Sequence, residues 1–302
     1  MQMRSRTTPI PPQAYFVGSA IFHYLGPSFA VLLFARVEPL GVAWLRIATA
    51  AAVFAVWRRP WRSLRRLDRH GWLLIGGLGL VFAAMNACFY VAIDRLPLAM
   101  VAAIEFLGPV GLALLGARVP RNLVAVAVAA GGVYLLTHVR LAGEPVGVAF
   151  AFANAVLFTA YIVLAHRLSR RPGLGGVQGL GAAMLLAFVF VFPVGLGEAA
   201  PAFTDPIALA AGVGVGLASS VIPYVFDQLA MARLPRATYA LFVALLPATA
   251  TAIGVAVLHQ LPSAVDLAGI ALVMLGVALH RSEERHDRAH DELRRSRASL
   301  QT

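Results

Sequence analysis

Apolar positions along this chain do not alternate with polar ones at a strand period, nor mark one stripe of a helix. They run on for about 20 residues at a time and stop at short polar gaps. A bilayer core takes roughly 20 largely apolar residues per helical crossing. The pattern therefore predicts ten transmembrane helices, at 14–34, 40–57, 72–93, 97–116, 122–138, 146–166, 176–197, 207–230, 236–258 and 264–280. The expected fold class is all-α and integral to the membrane.

The gaps orient the chain. Arg4 and Arg6 precede the first stretch, and Arg58, Arg59, Arg62, Arg65, Arg66 and Arg69 separate the second from the third. Arg118 and Arg121, then Arg167, Arg170 and Arg171, then Arg233 and Arg236 follow stretches four, six and eight. The intervening gaps hold only Arg36, Arg95 and Arg140, against Glu38, Asp94, Glu144, Glu198, Asp205 and Asp266. Cytoplasmic loops carry the excess of basic residues, so both termini and the arginine-rich gaps are expected in the cytoplasm.

Composition supports a membrane protein. Hydrophobic residues make up 60% of the 302, charged residues only 13%, and the net charge is +11. Every basic residue apart from histidine is arginine. This charge sits on short loops flanking the spans, so topology accounts for it and no nucleic-acid partner is expected. The single cysteine, Cys88, excludes an intrachain disulfide and a cysteine metal site. No metal or cofactor is expected. The first apolar stretch is too long for a signal sequence and should remain in the mature protein. The segment 283–302 mixes arginine with Glu283, Glu284, Asp287, Asp291 and Glu292 and reads as a charged cytoplasmic tail.

A weak internal repeat divides the chain. Arg95-Leu96-Pro97 recurs as Arg233-Leu234-Pro235, 138 residues later, and at the same offset Pro109 meets Pro247 and Gly116 meets Gly254. Two units of five spans follow, 1–140 and 141–282. Because five is odd, the second unit enters the membrane from the opposite side. Inverted repeats of this kind build transporters with a site near the midplane.

Ionisable groups at span depth are costly and therefore candidates for function. Glu105 can handle a proton, attract an ammonium group, or serve as a protonated structural group bonded to a neighbouring helix. Arg46 can clamp a carboxylate, pair with an acid, or snorkel to the interface. Asp227 and Tyr224, three residues apart, share a helix face near the cytoplasmic end, where substrate binding and an interfacial role compete. Asn86 and Tyr90 also share a face and either line a cavity or join helices. His23 is a weaker candidate, and Tyr239 and Tyr161 can supply stacking or packing. Asn154 reads as a bond between helices. Pro27, Pro109 and Pro247 are expected to bend their helices, the last two symmetrically by the repeat.

Three stretches carry a family likeness: Gly41 to Arg46, Met85 to Pro109, and Pro223 to Pro247. They resemble the drug/metabolite transporter superfamily in its EamA-domain group, and most nearly its bacterial threonine/homoserine exporter type. Arg46, Asn86, Tyr90, Glu105, Pro109, Pro223, Tyr224, Leu234-Pro235 and Pro247 match that type directly, while Asp227 stands where a glutamate is usual. Leu246 replaces the glutamate of a Glu-Pro pair, and His259-Gln260 replaces Gly-Glu. The resemblance implies ten spans in a bacterial inner membrane, a central cavity between repeats, and export of an amino acid or related metabolite by exchange with protons.

The expected function is secondary transport of a small metabolite by alternating access, with threonine or homoserine as the leading substrates. An uncoupled facilitator and a broader drug or aromatic amino-acid exporter are the rival readings within transport. An intramembrane enzyme lacks any His-Glu-x-x-His, Gly-x-Ser-x-Gly or paired-aspartate motif. A membrane sensor is disfavoured by the short loops.

Overall fold

The structure is a computed structural model that describes residues 11–65, 67–116, 120–138, 144–169, 177–231, 233 and 244–279. Every regular element among them is helical. In chain order these are α1 Pro12–Leu33, α2 Pro39–Arg58, the short α3 Trp61–Leu64, α4 Arg69–Arg95, α5 Leu98–Glu105, α6 Leu107–Gly116 and α7 Pro120–His138. The second part holds α8 Pro145–Ser169, α9 Val177–Ala199, α10 Pro206–Gly216, α11 Ile222–Met231, α12 Leu246–Leu258 and α13 Ala264–Leu279. A 3-10 turn, Ala200–Phe203, follows α9, and a π-helical turn, Leu217–Val221, joins α10 to α11.

Seven helices among the described residues are long and apolar enough to cross a membrane: Gln13–Leu33, Pro39–Arg58, Arg69–Arg95, Pro120–His138, Pro145–Leu168, Val177–Phe203 and Pro206–Asp227. Three shorter apolar helices, Leu98–Leu112, Leu246–Leu258 and Ala264–Leu279, fall in the stretches read as spans four, nine and ten. Large apolar side chains stay exposed around the bundle, Val56 at 79% and Val156 at 70% among them. Such a surface belongs against lipid.

Local sequence explains the helix ends. Prolines open α1, α2, α7, α8 and α10, where their missing N–H costs nothing. Asp68 caps α4 by accepting from Gly71 N at 2.9 Å. Asp205 caps α10 through the N–H groups of Ile207 and Ala208 and also accepts from Arg36 Nη1 at 2.7 Å. That guanidinium, with the two backbone donors, holds the half-buried Asp205 carboxyl below its usual range. At the opposite ends of the helices Arg121 Nε donates to the Leu279 carbonyl at 2.7 Å, and Arg58 lies 4.1 Å over the Trp57 ring.

The expected prolines do different work from bends in continuous helices. Only Pro27 lies inside its helix, α1. Pro109 is the third residue of α6 and Pro247 the second of α12. Because Pro109 has no N–H, the Glu105 carbonyl has no donor one turn ahead, and the helix breaks at Phe106. Residues 244 and 245 likewise form a turn just before Pro247.

Helices pack in recurring pairs: α2 with α9, α7 with α13, α4 with α8, and α1 with α10 and α11. The α7–α13 contact is built from glycines on both sides. A Cβ on Gly132 would stand 2.6 Å from the Gly269 carbonyl and 2.9 Å from Val273 N. Membrane helices depend on such close backbone approach because apolar burial does not drive them together. Gly132→Val should therefore destabilise the bundle by about 1–3 kcal/mol through overpacking. Thermal unfolding of the detergent-solubilised protein reads this as a lower Tm; an unchanged Tm would show that the contact is not tight.

Candidate functional site

A cavity of about 760 Å³ lies between helices of both halves of the chain. Its wall takes His23 and Pro27 from α1, Arg46 from α2, Asn86 from α4 and Glu105 from the end of α5. From the second half come Asn154 and Tyr161 on α8, Tyr224 and Asp227 on α11, and Leu246 on α12. Most of the remaining wall is apolar or aromatic, including Phe16, Phe89, Phe106 and Phe158. A mostly apolar cavity with few polar groups is the usual form of a small-molecule site.

Arg46 is buried, only 7% exposed, and does not reach for the interface. Its Nε donates to Ser220 Oγ at 2.9 Å and its Nη2 to the Ser219 carbonyl at 3.1 Å, both in the π-helical turn. The Tyr90 ring lies beneath the guanidinium, 5.5 Å from its centroid to Cζ, a favourable cation–π placement. Among the described residues the one ion pair within 4.0 Å is Arg36–Asp205, so Arg46 has no acidic partner there.

Glu105 is also buried, and its Oε1 accepts from Asn154 Nδ2 at 3.3 Å. The helix break leaves Glu105 at the C-terminal residue of α5. Gly108 then lets the start of α6 approach α8 closely: a Cβ there would lie 2.7 Å from the Ala155 carbonyl. That approach brings Asn154 to Glu105. Asn154 is fully buried and its Oδ1 finds no partner among the described residues, which leaves an acceptor beside the carboxylate.

Asp227 sits farther along the same cavity. Ser19 Oγ lies 2.6 Å from Asp227 Oδ1 and 3.1 Å from the Pro223 carbonyl. A hydroxyl has one proton to give, and the shorter contact to the carboxylate takes it. Tyr224 packs edge-on to Phe82 at 6.1 Å, and Asn86 gives its amide Nδ2 to the Phe82 carbonyl at 2.8 Å.

Eight polar or ionisable residues named from the sequence, Arg46, Asn86, Glu105, Tyr224, Asp227, His23, Tyr161 and Asn154, thus share one cavity. Tyr90 does not line it: the ring is fully buried under Arg46, so its part is to support that side chain. Tyr239 lies outside the described residues. Two site residues escaped sequence reading, Ser219 and Ser220; Asn154, read as a bond between helices, joins α8 to Glu105 at the end of α5. A signal for the serines existed in Pro223, four residues beyond Ser219, since proline there removes the N–H that would occupy the Ser219 carbonyl. Neither His259 nor Gln260, which replace Gly-Glu, lines the cavity. His259 caps α12 in the left-handed region at φ 54°, and Gln260 Oε1 caps α5 by accepting from Leu98 N at 3.0 Å. Leu246, by contrast, does face the cavity.

Residues 145–281 match the model of the EamA-like transporter family. The threonine/homoserine exporter RhtA of Salmonella typhimurium (strain LT2) is 30% identical over 221 residues, 71% of this chain and 72% of that protein. RhtA of Escherichia coli (strain K12) is 31% identical over the same shares. A protein crystal structure superposes with a TM-score of 0.60 at 20% identity, covering 89% of this chain and 96% of the other, and so shares the fold. The chain belongs to the EamA-like transporter family and is a multi-pass membrane transporter rather than an enzyme.

Proposed function

We propose that this protein exports a small zwitterionic metabolite, an amino acid of the threonine or homoserine kind, across a bacterial inner membrane in exchange for protons. One observation carries the reading: the cavity holds a guanidinium and a carboxylate, Arg46 and Glu105, that are not paired with each other. An α-amino acid offers a carboxylate to the first and an ammonium to the second. Leaving two buried charges unpaired is costly, and a zwitterion between them offsets that cost. The names of the RhtA relatives support the substrate class.

Alternating access supplies the mechanism, with units 1–140 and 141–282 rearranging about the cavity and both termini in the cytoplasm. The helix pairs support two inverted five-helix units: α2–α9 and α7–α13 join equivalent helices, and α4–α8 is mirrored by α1 with α10 and α11. The break at Phe106 and the turn at Ala244 stand at the same offset as the two Arg-Leu-Pro segments. Glu105 carries the proton in this scheme, with Asp227 as a second acidic group toward the arginine-rich side.

The aromatic wall favours a second reading, a broader exporter that takes larger aromatic amino acids. Counterflow in proteoliposomes preloaded with single amino acids, with and without a pH gradient, separates the two. Saturable threonine or homoserine flux accelerated by the gradient is the expected result. Flux of aromatic amino acids alone would establish the second reading, and gradient-insensitive flux would make the protein a facilitator.

A further inference from the structure

We infer that the π-helical turn Leu217–Val221 is a positioning device for Arg46, with Ser220 Oγ and the Ser219 carbonyl aiming the guanidinium at the carboxylate of the substrate. This rests on the proposed zwitterionic substrate and adds which residues set the preference for its acid end.

The chemistry begins with Pro223. An α-helical carbonyl at Ser219 would accept from the N–H of residue 223, and proline has none. The carbonyl is thereby released, and Arg46 Nη2 takes it at 3.1 Å. The turn's wider winding also places Ser220 Oγ 2.9 Å from Arg46 Nε. Together Nε and Nη2 form one edge of the planar guanidinium, so the turn occupies that edge. The remaining edge, made by Nη1 and the second Nη2 proton, is the other face on which a carboxylate can bind bidentately.

The turn is itself held rigid. Ser219 and Ser220 are each 1% exposed. On the α1 side Gly26 meets the turn so closely that a Cβ would lie 2.7 Å from Ser219 N. Tyr90 closes the side below the guanidinium. Without these fixed acceptors a buried guanidinium would turn to the nearest carboxylate, and Glu105 lines the same cavity. Tying one edge of Arg46 to the turn keeps the two charges apart and both free for the ligand.

The test uses the full chain in proteoliposomes, with threonine as substrate and threoninol, the amino alcohol lacking the carboxylate, as competitor. Ser220→Ala should raise the KM for threonine roughly tenfold, the loss of one hydrogen bond to a charged group. Its Vmax should hold, as should its inhibition constant for threoninol. Ser220→Thr, which keeps the hydroxyl, should restore the KM. Pro223→Ala should also raise the KM, because the new N–H competes for the Ser219 carbonyl. Equal loss of affinity for threonine and threoninol would assign the turn a structural role only and overturn the inference. An unchanged KM in both Ser220→Ala and Pro223→Ala would overturn it as well. Absence of threonine flux in the unsubstituted protein would instead refute the proposed function, and this inference with it.

Discussion

Arg46→Ala should raise the KM for threonine by roughly 100-fold, the largest effect expected of any single substitution in this chain. Truncating one partner of a buried, hydrogen-bonded charge contact costs about 2–5 kcal/mol, and the factor corresponds to about 2.8 kcal/mol, in the lower half of that range. Here the loss is compounded, since the Ser219 carbonyl and Ser220 Oγ would lose the donor that now satisfies them. Arg46→Lys gives the sharper reading. It keeps the charge but has no planar fork, so it cannot hold the turn with one edge and a carboxylate with the other. The lysine variant should fall between the two, roughly tenfold weaker than the parent. Size-exclusion profiles of the detergent extract establish that each variant is folded. A folded Arg46→Ala protein with an unaltered KM would remove Arg46 from the binding site.

The second large effect falls on energy coupling. Glu105→Gln preserves the shape of the side chain and its contact with Asn154 but fixes a single charge state. Acceleration by a pH gradient should disappear, while exchange between preloaded and external substrate persists at a reduced rate. If Glu105 also receives the ammonium group, the KM for exchange should rise together with the loss of the gradient response. Undiminished pH-driven flux in this variant would exclude Glu105 as the proton carrier and leave Asp227, held by Ser19 at 2.6 Å, as the next acid to substitute.

Much of the fold was legible because the bilayer imposes so few choices on a sequence. Every backbone group must be satisfied internally, so apolar length alone located helices at the stretches expected. The charged residues of the cavity wall were legible for the complementary reason: Arg46 and Glu105 are costly at that depth and so stood out as candidates. The faces of the helices were harder. In a soluble protein the inner face is apolar and the outer one polar, but here both are apolar, as on α8, where Val156 meets the outside and Asn154 the cavity. Without that contrast Asn154 read only as a bond between helices. Ser219 and Ser220 were hidden by a local change of winding, because the π-helical turn shifts the register that helical periodicity assumes. Tyr90 shares a face with Asn86, yet nothing in its spacing indicated that Arg46 would cover it.

The division between the α7–α13 pair and the cavity bears on how such a chain can diverge. Among the described residues neither helix supplies a side chain to the cavity wall, and their contact tolerates only the smallest residues at Gly132 and Gly269. Cavity positions such as Leu246, Phe89 and Tyr161 carry no such steric duty toward that pair. Selection for a new solute can therefore act on one set of codons while selection for assembly holds another. A lineage can change its cargo by a few substitutions without first passing through a misfolded ancestor.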